Sequence, residues 1–230
     1  MSANVRPSSA VRGELVNIRI EDDPTTVYRV HKDLLVEHSE YFKSALNGPW
    51  SEAEDGIAPL EGVDPRTFEI FVDWVYTQNL PQEPQDWLSA AEQPTCDIYD
   101  DSSEKAMMFW PRRSMQKMKV YIFADRFMSQ KLKDAILEGY LCNLNVSDSS
   151  LTYRFIIHAF ANLPDTDPLL RFLVDHHCRN FRRNFDDPYE IQDRALLPQA
   201  FLVRVMLRYS DMVAKIPKED LCEEDYRSER

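Results

Sequence analysis

The stretch of sequence that decides the fold is Val30-His31-Lys32-Asp33-Leu34-Leu35-Val36-Glu37-His38-Ser39-Glu40-Tyr41-Phe42. Before it, two short runs combine apolar and polar residues in the manner of strands: Val16, Ile18 and Ile20, then Val27, Tyr28 and Val30. Alternation with a period of two is typical of strands with one buried face, so the runs predict a β-hairpin. Apolar residues then recur at a helical period, with Ser39 between the first two: Leu35, Phe42 and Leu46. We therefore expect one amphipathic helix directly after the hairpin.

Two further segments carry helical patterns. Asp64 is a favourable N-cap and Pro65 suits the first helical position, so a helix is predicted to begin there. Its apolar residues are spaced i, i+3, i+4, i+7 and i+8: Phe68, Phe71, Val72, Val75 and Tyr76. Downstream, residues 121–128 read Tyr-Ile-Phe-Ala-Asp-Arg-Phe-Met and are followed by Lys-Leu-Lys at 131–133. This segment predicts another helix with one apolar face.

Taken in this order, the three segments resemble the BTB/POZ domain. The family pattern of a histidine, a basic residue, a leucine, a serine and a phenylalanine is matched in the first segment: His31, Lys32, Leu35, Ser39 and Phe42. Residues 71–80 are similar to the family's phenylalanine, tryptophan, tyrosine-threonine and leucine signature, and residues 121–133 to the helix that closes the BTB core. The resemblance covers about residues 12–145, and residues 76–81 are similar to the BTB proteins abundant in filamentous fungi.

The resemblance implies an α+β fold, in which a small β-sheet flanked by helices forms a BTB/POZ core with an all-helical C-terminal extension. We expect a disordered N-terminus over 1–11, the BTB/POZ domain over 12–145, a helical extension over 146–216 and a disordered acidic tail over 217–230. The third strand, at about 57–60, contains Pro59. Proline cannot donate to a central ladder, so this strand is predicted to be short or to lie at an edge.

A polar insertion at about 82–113 is predicted to interrupt the core, because apolar periodicity stops and Gln, Glu, Asp, Ser and Pro take over. It nevertheless carries large apolar side chains: Trp87, Met107, Met108, Phe109 and Trp110. Either these side chains dock on the core or they form a partner-binding motif. Beyond the insertion the pattern is helical, with helices predicted to begin at Asp148 and at Asp167-Pro168 and a last helix at about 198–215.

Composition excludes several classes of function. The chain has 27 basic and 39 acidic residues and a formal charge of −12, which repels nucleic-acid phosphates, so no nucleic-acid partner is expected. The N-terminus has no signal-peptide core, and no apolar run reaches bilayer length, so we expect no membrane partner and a cytoplasmic or nuclear location. The four cysteines are scattered and form no CxxC pair, which is typical of reduced intracellular thiols.

Residues with catalytic or metal-binding chemistry are few, and the most suggestive are His158, His176, His177 and Cys178. Three of these are consecutive on a predicted helix, where neighbours point about 100° apart and cannot converge on one metal ion. The five glycines form no phosphate-binding loop. We therefore expect no enzyme and no cofactor. His31 lies at the junction of strand and helix, where its ring is predicted to satisfy backbone groups at the helix start.

The segment Trp50-Ser51-Glu52 carries the clearest functional information. BTB adaptors that recruit cullin scaffolds have a hydrophobic residue, any residue and a glutamate at this place. Trp50, Glu52 and Tyr76 are therefore the predicted protein-binding residues of an adaptor that delivers an unknown client to a cullin-type ubiquitin ligase. Trp50 could equally fold back on its own core. The alternative function is a self-associating transcriptional cofactor or a scaffold that binds no cullin.

Self-association is the second property that the resemblance addresses. Many BTB dimers use an aspartate in the first core strand and the basic residue after the histidine, together with a swapped N-terminal strand. Here Lys32 keeps the basic residue, whereas Asn17 occupies the position of the aspartate, and residues 1–10 show no strand pattern. Asn17 and Lys32 mark the candidate dimer pocket, and we expect a monomer or a weak homodimer.

Overall fold

The computed structural model describes residues 13–21, 23–47, 57–92, 104–141, 152–181 and 191–213. The chain divides into two compact units, one ending at Asp165 and the other beginning at Thr166. The first unit contains, in order, β1 (Leu15–Ile20), β2 (Asp23–His31), α1 (Lys32–His38), α2 (Glu40–Asn47), β3 (Ile57–Leu60), α3 (Pro65–Thr77), a 3-10 turn (Pro84–Trp87), α4 (Glu104–Arg126), α5 (Gln130–Leu141) and α6 (Tyr153–Asn162). The second unit contains α7 (Pro168–Asn180), a 3-10 turn (Gln192–Leu196) and α8 (Gln199–Val213).

A three-stranded sheet of order β2-β1-β3 is the β part of the fold. β1 is antiparallel to β2, with Val16 opposite Val30, and parallel to β3, with Ile18 opposite Ala58. The inward residues of β1 are at most 2% exposed: Val16, Ile18 and Ile20. The hairpin is therefore confirmed. β3 is four residues long and lies at one edge, as Pro59 predicted.

The predicted single helix after the hairpin is wrong, because the chain forms two helices that meet at Ser39. Ser39 is extended, with φ −147° and ψ 119°. Its buried hydroxyl donates to the carbonyl of Phe127 at 2.6 Å and accepts from the backbone N–H of Phe42 at 3.2 Å. The side chain thus caps α2 and joins it to the end of α4.

The start of α3 follows the sequence signals. Asp64 accepts from the backbone N–H of Thr67 at 3.0 Å, and Pro65 occupies the first turn. The ammonium of Lys119 on α4 lies 2.8 Å from the second carboxylate oxygen of Asp64. Burial alone would raise the pKa of this carboxyl, but the hydrogen bonds from Lys119 and Thr67 outweigh it and lower the pKa. One side chain therefore both caps α3 and ties it to α4.

Aromatic rings fill the core where α2, α3 and α4 meet. The rings of Phe123 and Phe127 stack at 4.2 Å, Phe42 stacks on Phe127 at 5.7 Å, and Phe71 lies 5.0 Å from Phe123. All four side chains are buried. Such pairs add to the stabilisation that comes from burying their area.

α4 begins at Glu104, within the range that the sequence assigned to the polar insertion. The predicted insertion and the observed helix differ because Pro111 lies inside this helix, although proline usually interrupts a helix. Trp87 and Phe109 are 3% and 2% exposed, and the ammonium of Lys117 lies 5.0 Å from the centre of the Trp87 ring. For these two aromatics, the structure agrees with docking on the core.

Two helices of the C-terminal part begin close to the predicted positions, at Pro168 and at Gln199. Asp167 accepts from the backbone N–H of Leu169 at 2.9 Å, and Pro168 opens α7. α6 is capped by Thr152, and the predicted start at Asp148 lies outside the described residues. In the second unit, Phe201 of α8 is fully buried and meets the ring of His177 edge-on at 5.3 Å. The segments 1–12 and 214–230 also lie outside the described residues.

Candidate protein-interaction site

Tyr76, one of the predicted binding residues, is fixed to the hairpin by its hydroxyl. It lies in the last turn of α3, and its oxygen accepts from the backbone N–H of His31 at 3.2 Å. The same oxygen lies 2.6 Å from Nδ1 of His31, and the two rings meet edge-on at 5.7 Å. The hydroxyl of Tyr76 therefore contacts both the backbone and the ring of His31, and the tautomer of the imidazole sets which atom donates in the second contact.

The prediction that the ring of His31 caps the following helix is wrong. His31 is the N-cap residue of α1, but its side chain makes no capping hydrogen bond. Its ring is directed to α3 instead, where it contacts the hydroxyl and the ring of Tyr76. The contact between His31 and Tyr76 joins β2 to α3 across 45 residues of sequence.

Trp50 and Glu52 lie in the segment 48–56, which is outside the described residues. This segment lies between α2 and β3. α2 ends at Asn47 immediately after the buried Leu46, and β3 ends at the buried Leu60. The segment therefore joins two elements that are each anchored in the core of the first unit.

The candidate dimer residues have separate environments. Asn17 lies in the central strand, opposite Arg29 of β2 on one side and Ile57 of β3 on the other. The ammonium of Lys32 lies 3.5 Å from a carboxylate oxygen of Glu14 within the same chain. The acidic partner of Lys32 is thus one residue before β1, a position that the family pattern did not indicate.

The histidines and cysteine that the sequence singled out are divided between the two units. His158 lies on α6 of the first unit, whereas the other three lie on α7 of the second. Across the part of the chain that is described, no group of three or more His, Cys, Asp or Glu side chains could hold a metal ion. Burial raises the pKa of the Cys178 thiol, against the opposing influence of Arg208. A protonated thiol is a poor nucleophile.

Sequence reasoning missed a groove beside α3. It has a volume of about 690 Å³ and is bordered by three carboxylates and by apolar residues of the chain that follows α3: Glu69, Asp73 and Asp86, with Leu80, Pro81 and Leu88. Arg66 crosses it, pairing with Glu69 at 2.8 Å and donating to the carbonyl of Asp86. The sequence feature that could have indicated the acidic border of this groove is the spacing of Glu69 and Asp73, which lie four residues apart on the polar side of the helix.

Comparison with known proteins identifies the class. The BTB/POZ domain family matches residues 12–96. Together with the small sheet and the surrounding helices, this match establishes that the chain contains a BTB/POZ domain. The resemblance and the α+β fold expected from it are both confirmed.

Two relatives extend the comparison beyond the domain. The chain is 24% identical over 219 residues to the human Kelch repeat and BTB domain-containing protein 8 and 23% identical to the mouse protein of that name. Each match covers 90% of this chain and 35% of the relative, so the chain spans about a third of the length of these proteins.

BTB/POZ domains form a protein-interaction family that is generally non-enzymatic. The BTB/POZ domain of this chain is therefore a protein-interaction module. None of the described helices has both the length and the apolar character needed to cross a bilayer.

Proposed function

We propose that this chain is an adaptor that joins a cullin-type ubiquitin-ligase scaffold to a client protein. The observation that carries the proposal is the Trp50-Ser51-Glu52 sequence within the residues that the BTB/POZ family matches, in the segment between α2 and β3.

The chemistry of this segment suits a helical partner. An indole supplies a large apolar surface that fills a pocket, and a carboxylate two residues later fixes orientation through a hydrogen bond or an ion pair. The ring of Tyr76, held by His31, contributes a rigid aromatic surface in the same domain. Rigid aromatic side chains make favourable anchors because they lose little conformational entropy on binding.

The client would be recognised elsewhere on the chain. The curated relatives carry kelch repeats in addition to a BTB domain, which is a precedent for joining such a domain to a second recognition surface. In this chain the helices after residue 145 and the groove beside α3 are the available surfaces.

Isothermal titration of the full chain with a cullin N-terminal fragment tests the scaffold contact. Trp50→Ala and Glu52→Lys should each weaken binding by about tenfold or more, since centrally placed anchors carry on the order of 2 kcal/mol. Glu54→Lys is the charge-matched control, two residues further along the same segment, and should bind like the unaltered chain. If the unaltered chain binds no cullin fragment, the adaptor function is wrong.

The second candidate is a scaffold or transcriptional cofactor that works through self-association without a cullin. Its support is the BTB/POZ match, because this family often forms homodimers. It predicts a stable dimer that does not bind the cullin fragment. The acidic charge of −12 disfavours direct DNA contact, so a cofactor of this kind would reach DNA through another protein.

A further inference from the structure

A cavity of about 220 Å³ lies where the turn between β3 and α3 meets α4 and α6. We infer that this cavity is a binding site for a monocarboxylate that carries one small apolar group. All the elements that line it belong to the first unit, so its shape does not depend on the second unit. None of its lining residues borders the groove beside α3, so the two sites are separate.

Two cationic side chains of α4 border the cavity. Lys119 and Arg126 are seven residues apart and therefore lie on the same side of the helix. The side chain of Lys119 is 38% exposed, and Arg126 is also exposed, so both charges can be reached from solvent. The ammonium of Lys119 lies 2.8 Å from the carboxylate of Asp64. Because an ammonium has three N–H donors, it can hold a second anion beside Asp64.

The turn before α3 positions the guanidinium of Arg126. Its Nη1 donates to the backbone carbonyl of Glu61 at 2.9 Å. The next residue, Gly62, has φ +60°, a backbone conformation that glycine adopts without the strain a side chain would cause. This contact holds the guanidinium in place through a neutral carbonyl, which leaves its charge and its other N–H donors to a bound anion.

Helix α6 contributes two polar side chains, His158 and Asn162, which lie four residues apart on one side of the helix. The amide of Asn162 donates to the backbone carbonyl of His158 at 2.8 Å and lies 3.4 Å from Nδ1 of its ring. Burial, and after it the charge of Lys119, lower the pKa of His158. The ring is therefore mainly neutral at pH 7, so it adds hydrogen-bonding atoms to the cavity and little charge.

The charges around the cavity favour a single negative charge as the ligand. Burial raises the pKa of Asp64, but the hydrogen bonds from Lys119 and Thr67 outweigh it, so this carboxyl is ionised at neutral pH. Lys119 and Arg126 each carry one positive charge and Asp64 carries one negative charge, which leaves one positive charge in excess. A carboxylate balances that charge, whereas a phosphate dianion would leave a negative charge in excess beside Asp64.

The walls of the cavity are apolar. Val63, Phe123 and Phe127 line it and are only 4%, 4% and 2% exposed. Apolar walls with a few placed polar groups are typical of small-molecule sites, but these usually measure roughly 300–1,000 Å³. At about 30 Å³ for each water molecule, this cavity has room for about seven waters. It therefore suits a small acid, with a carboxylate at the cations and one ring or branched chain between the apolar walls.

Titration of the full chain with phenylacetate, followed by ¹H–¹⁵N correlation spectra, tests the proposal. Phenylacetate should bind with a Kd of about 1 mM or tighter. Phenylacetamide, which has nearly the same shape and no charge, should bind about tenfold more weakly or not at all. The shifts that phenylacetate causes should centre on the backbone amides of Gly62 and Val63 and on the side-chain amide of Asn162.

Substitutions on α4 test the role of the cations. Arg126→Gln should raise the Kd for phenylacetate about tenfold, because it removes a charge-assisted contact. Arg126→Lys keeps the charge and should retain most of the affinity. Arg112→Gln is the matched control, since it removes the same charge from an exposed position of the same helix, about 21 Å away. It should bind phenylacetate like the unaltered chain.

Two sources can supply a carboxylate of this kind, a free acid or the C-terminus of a protein that ends in an apolar residue. Acetyl-alanyl-alanyl-phenylalanine and its C-terminal amide, titrated in the same way, distinguish these sources. Tighter binding of the peptide acid than of phenylacetate would support the site and assign it to a protein C-terminus. Tighter binding of phenylacetate would support it and assign it to a free acid.

The comparison of each acid with its amide uses the unaltered chain, so it does not depend on the folding of any variant. If neither acid binds more tightly than its amide, the inferred site is wrong. Equal losses in Arg126→Gln and Arg112→Gln would also overturn it, because the attraction would then come from the overall charge and not from the cavity. These titrations contain no cullin fragment, so their outcome is independent of the proposed adaptor function.

Discussion

The phenol oxygen of Tyr76 lies 2.6 Å from Nδ1 and 3.2 Å from the backbone nitrogen of His31. One hydroxyl thus joins the last turn of α3 to the end of β2, where the chain turns into α1. Both residues belong to the segments through which the sequence resembles the BTB/POZ family. Their contact is a physical role for two residues of the family pattern, since it fixes the hairpin against the helix that follows the third strand.

Tyr76→Phe should lower the free energy of unfolding by about 1–2 kcal/mol, because it keeps the ring but leaves two part-buried nitrogens of His31 without their oxygen partner. Urea unfolding followed by circular dichroism measures this loss. Tyr41→Phe is the control, because the Tyr41 hydroxyl makes no hydrogen bond to the described residues while its ring also packs in the core, 4.8 Å from Phe127. Equal losses in the two variants would contradict a specific role for the Tyr76 hydroxyl.

Ser39→Ala should destabilise the chain by about 1–3 kcal/mol, because the carbonyl of Phe127 and the N–H of Phe42 are then left in the core without the hydroxyl. Ser44→Ala on the exposed side of α2 removes a hydroxyl of the same kind and should change stability by less than about 0.5 kcal/mol. Thermal or urea unfolding of the two variants gives the comparison. A Ser39 variant as stable as the Ser44 variant would show that α2 does not depend on this cap.

Stability should fall as the pH drops below the ordinary pKa of histidine, near 6.5, in part because of His38. Burial lowers the pKa of His38, Glu37 opposes this shift and Lys131 adds to it. The ring is 9% exposed, meets Trp74 edge-on at 5.2 Å and lies 3.3 Å from the side-chain amide of Gln78. Because the pKa of His38 is lower in the folded state than in the unfolded state, the unfolded chain binds a proton at this residue more readily. Its neutral form therefore favours the native state above about pH 6.5, and that stability is lost below it.

Unfolding free energies measured from about pH 7.5 to about pH 5.5 test this prediction. His38→Asn should reduce the slope of stability against pH, although the variant is itself less stable. His158 and His177 also have pKa values lowered by burial, so part of the slope should persist. Identical slopes for the variant and the unaltered chain would exclude His38 as a contributor.

Local signals in the sequence predicted the elements whose causes are local. Asp64 and Pro65, and later Asp167 and Pro168, mark helix starts because an acidic cap and a fixed proline φ act within three residues. The edge position of β3 followed from Pro59 for the same reason. These predictions needed no knowledge of the rest of the fold.

The structure differs from the sequence-based predictions at positions whose conformation depends on residues far away in the sequence. Ser39 breaks the helix because a carbonyl 88 residues away accepts its hydroxyl, which no window of sequence contains. The ring of His31 turns to Tyr76, 45 residues away, for a similar reason. α4 begins within the range 82–113 that the sequence assigned to a polar insertion, and Pro111 is tolerated inside the helix. Of the candidate site, Tyr76, Asn17 and Lys32 could be located, while Trp50 and Glu52 lie outside the described residues.

The parallel pairing of β1 with β3 has a consequence for evolution. Because the two strands hydrogen-bond directly, the stretch of chain between Ile20 and Ile57 begins and ends at the same sheet, and the sheet does not set the length of that stretch. Closure entropy grows only logarithmically, so even a doubled loop costs roughly 0.6 kcal/mol. Insertions between Asn47 and Ile57 should therefore cost little folding free energy, so this part of the chain can lengthen in evolution while the sheet keeps its pairing.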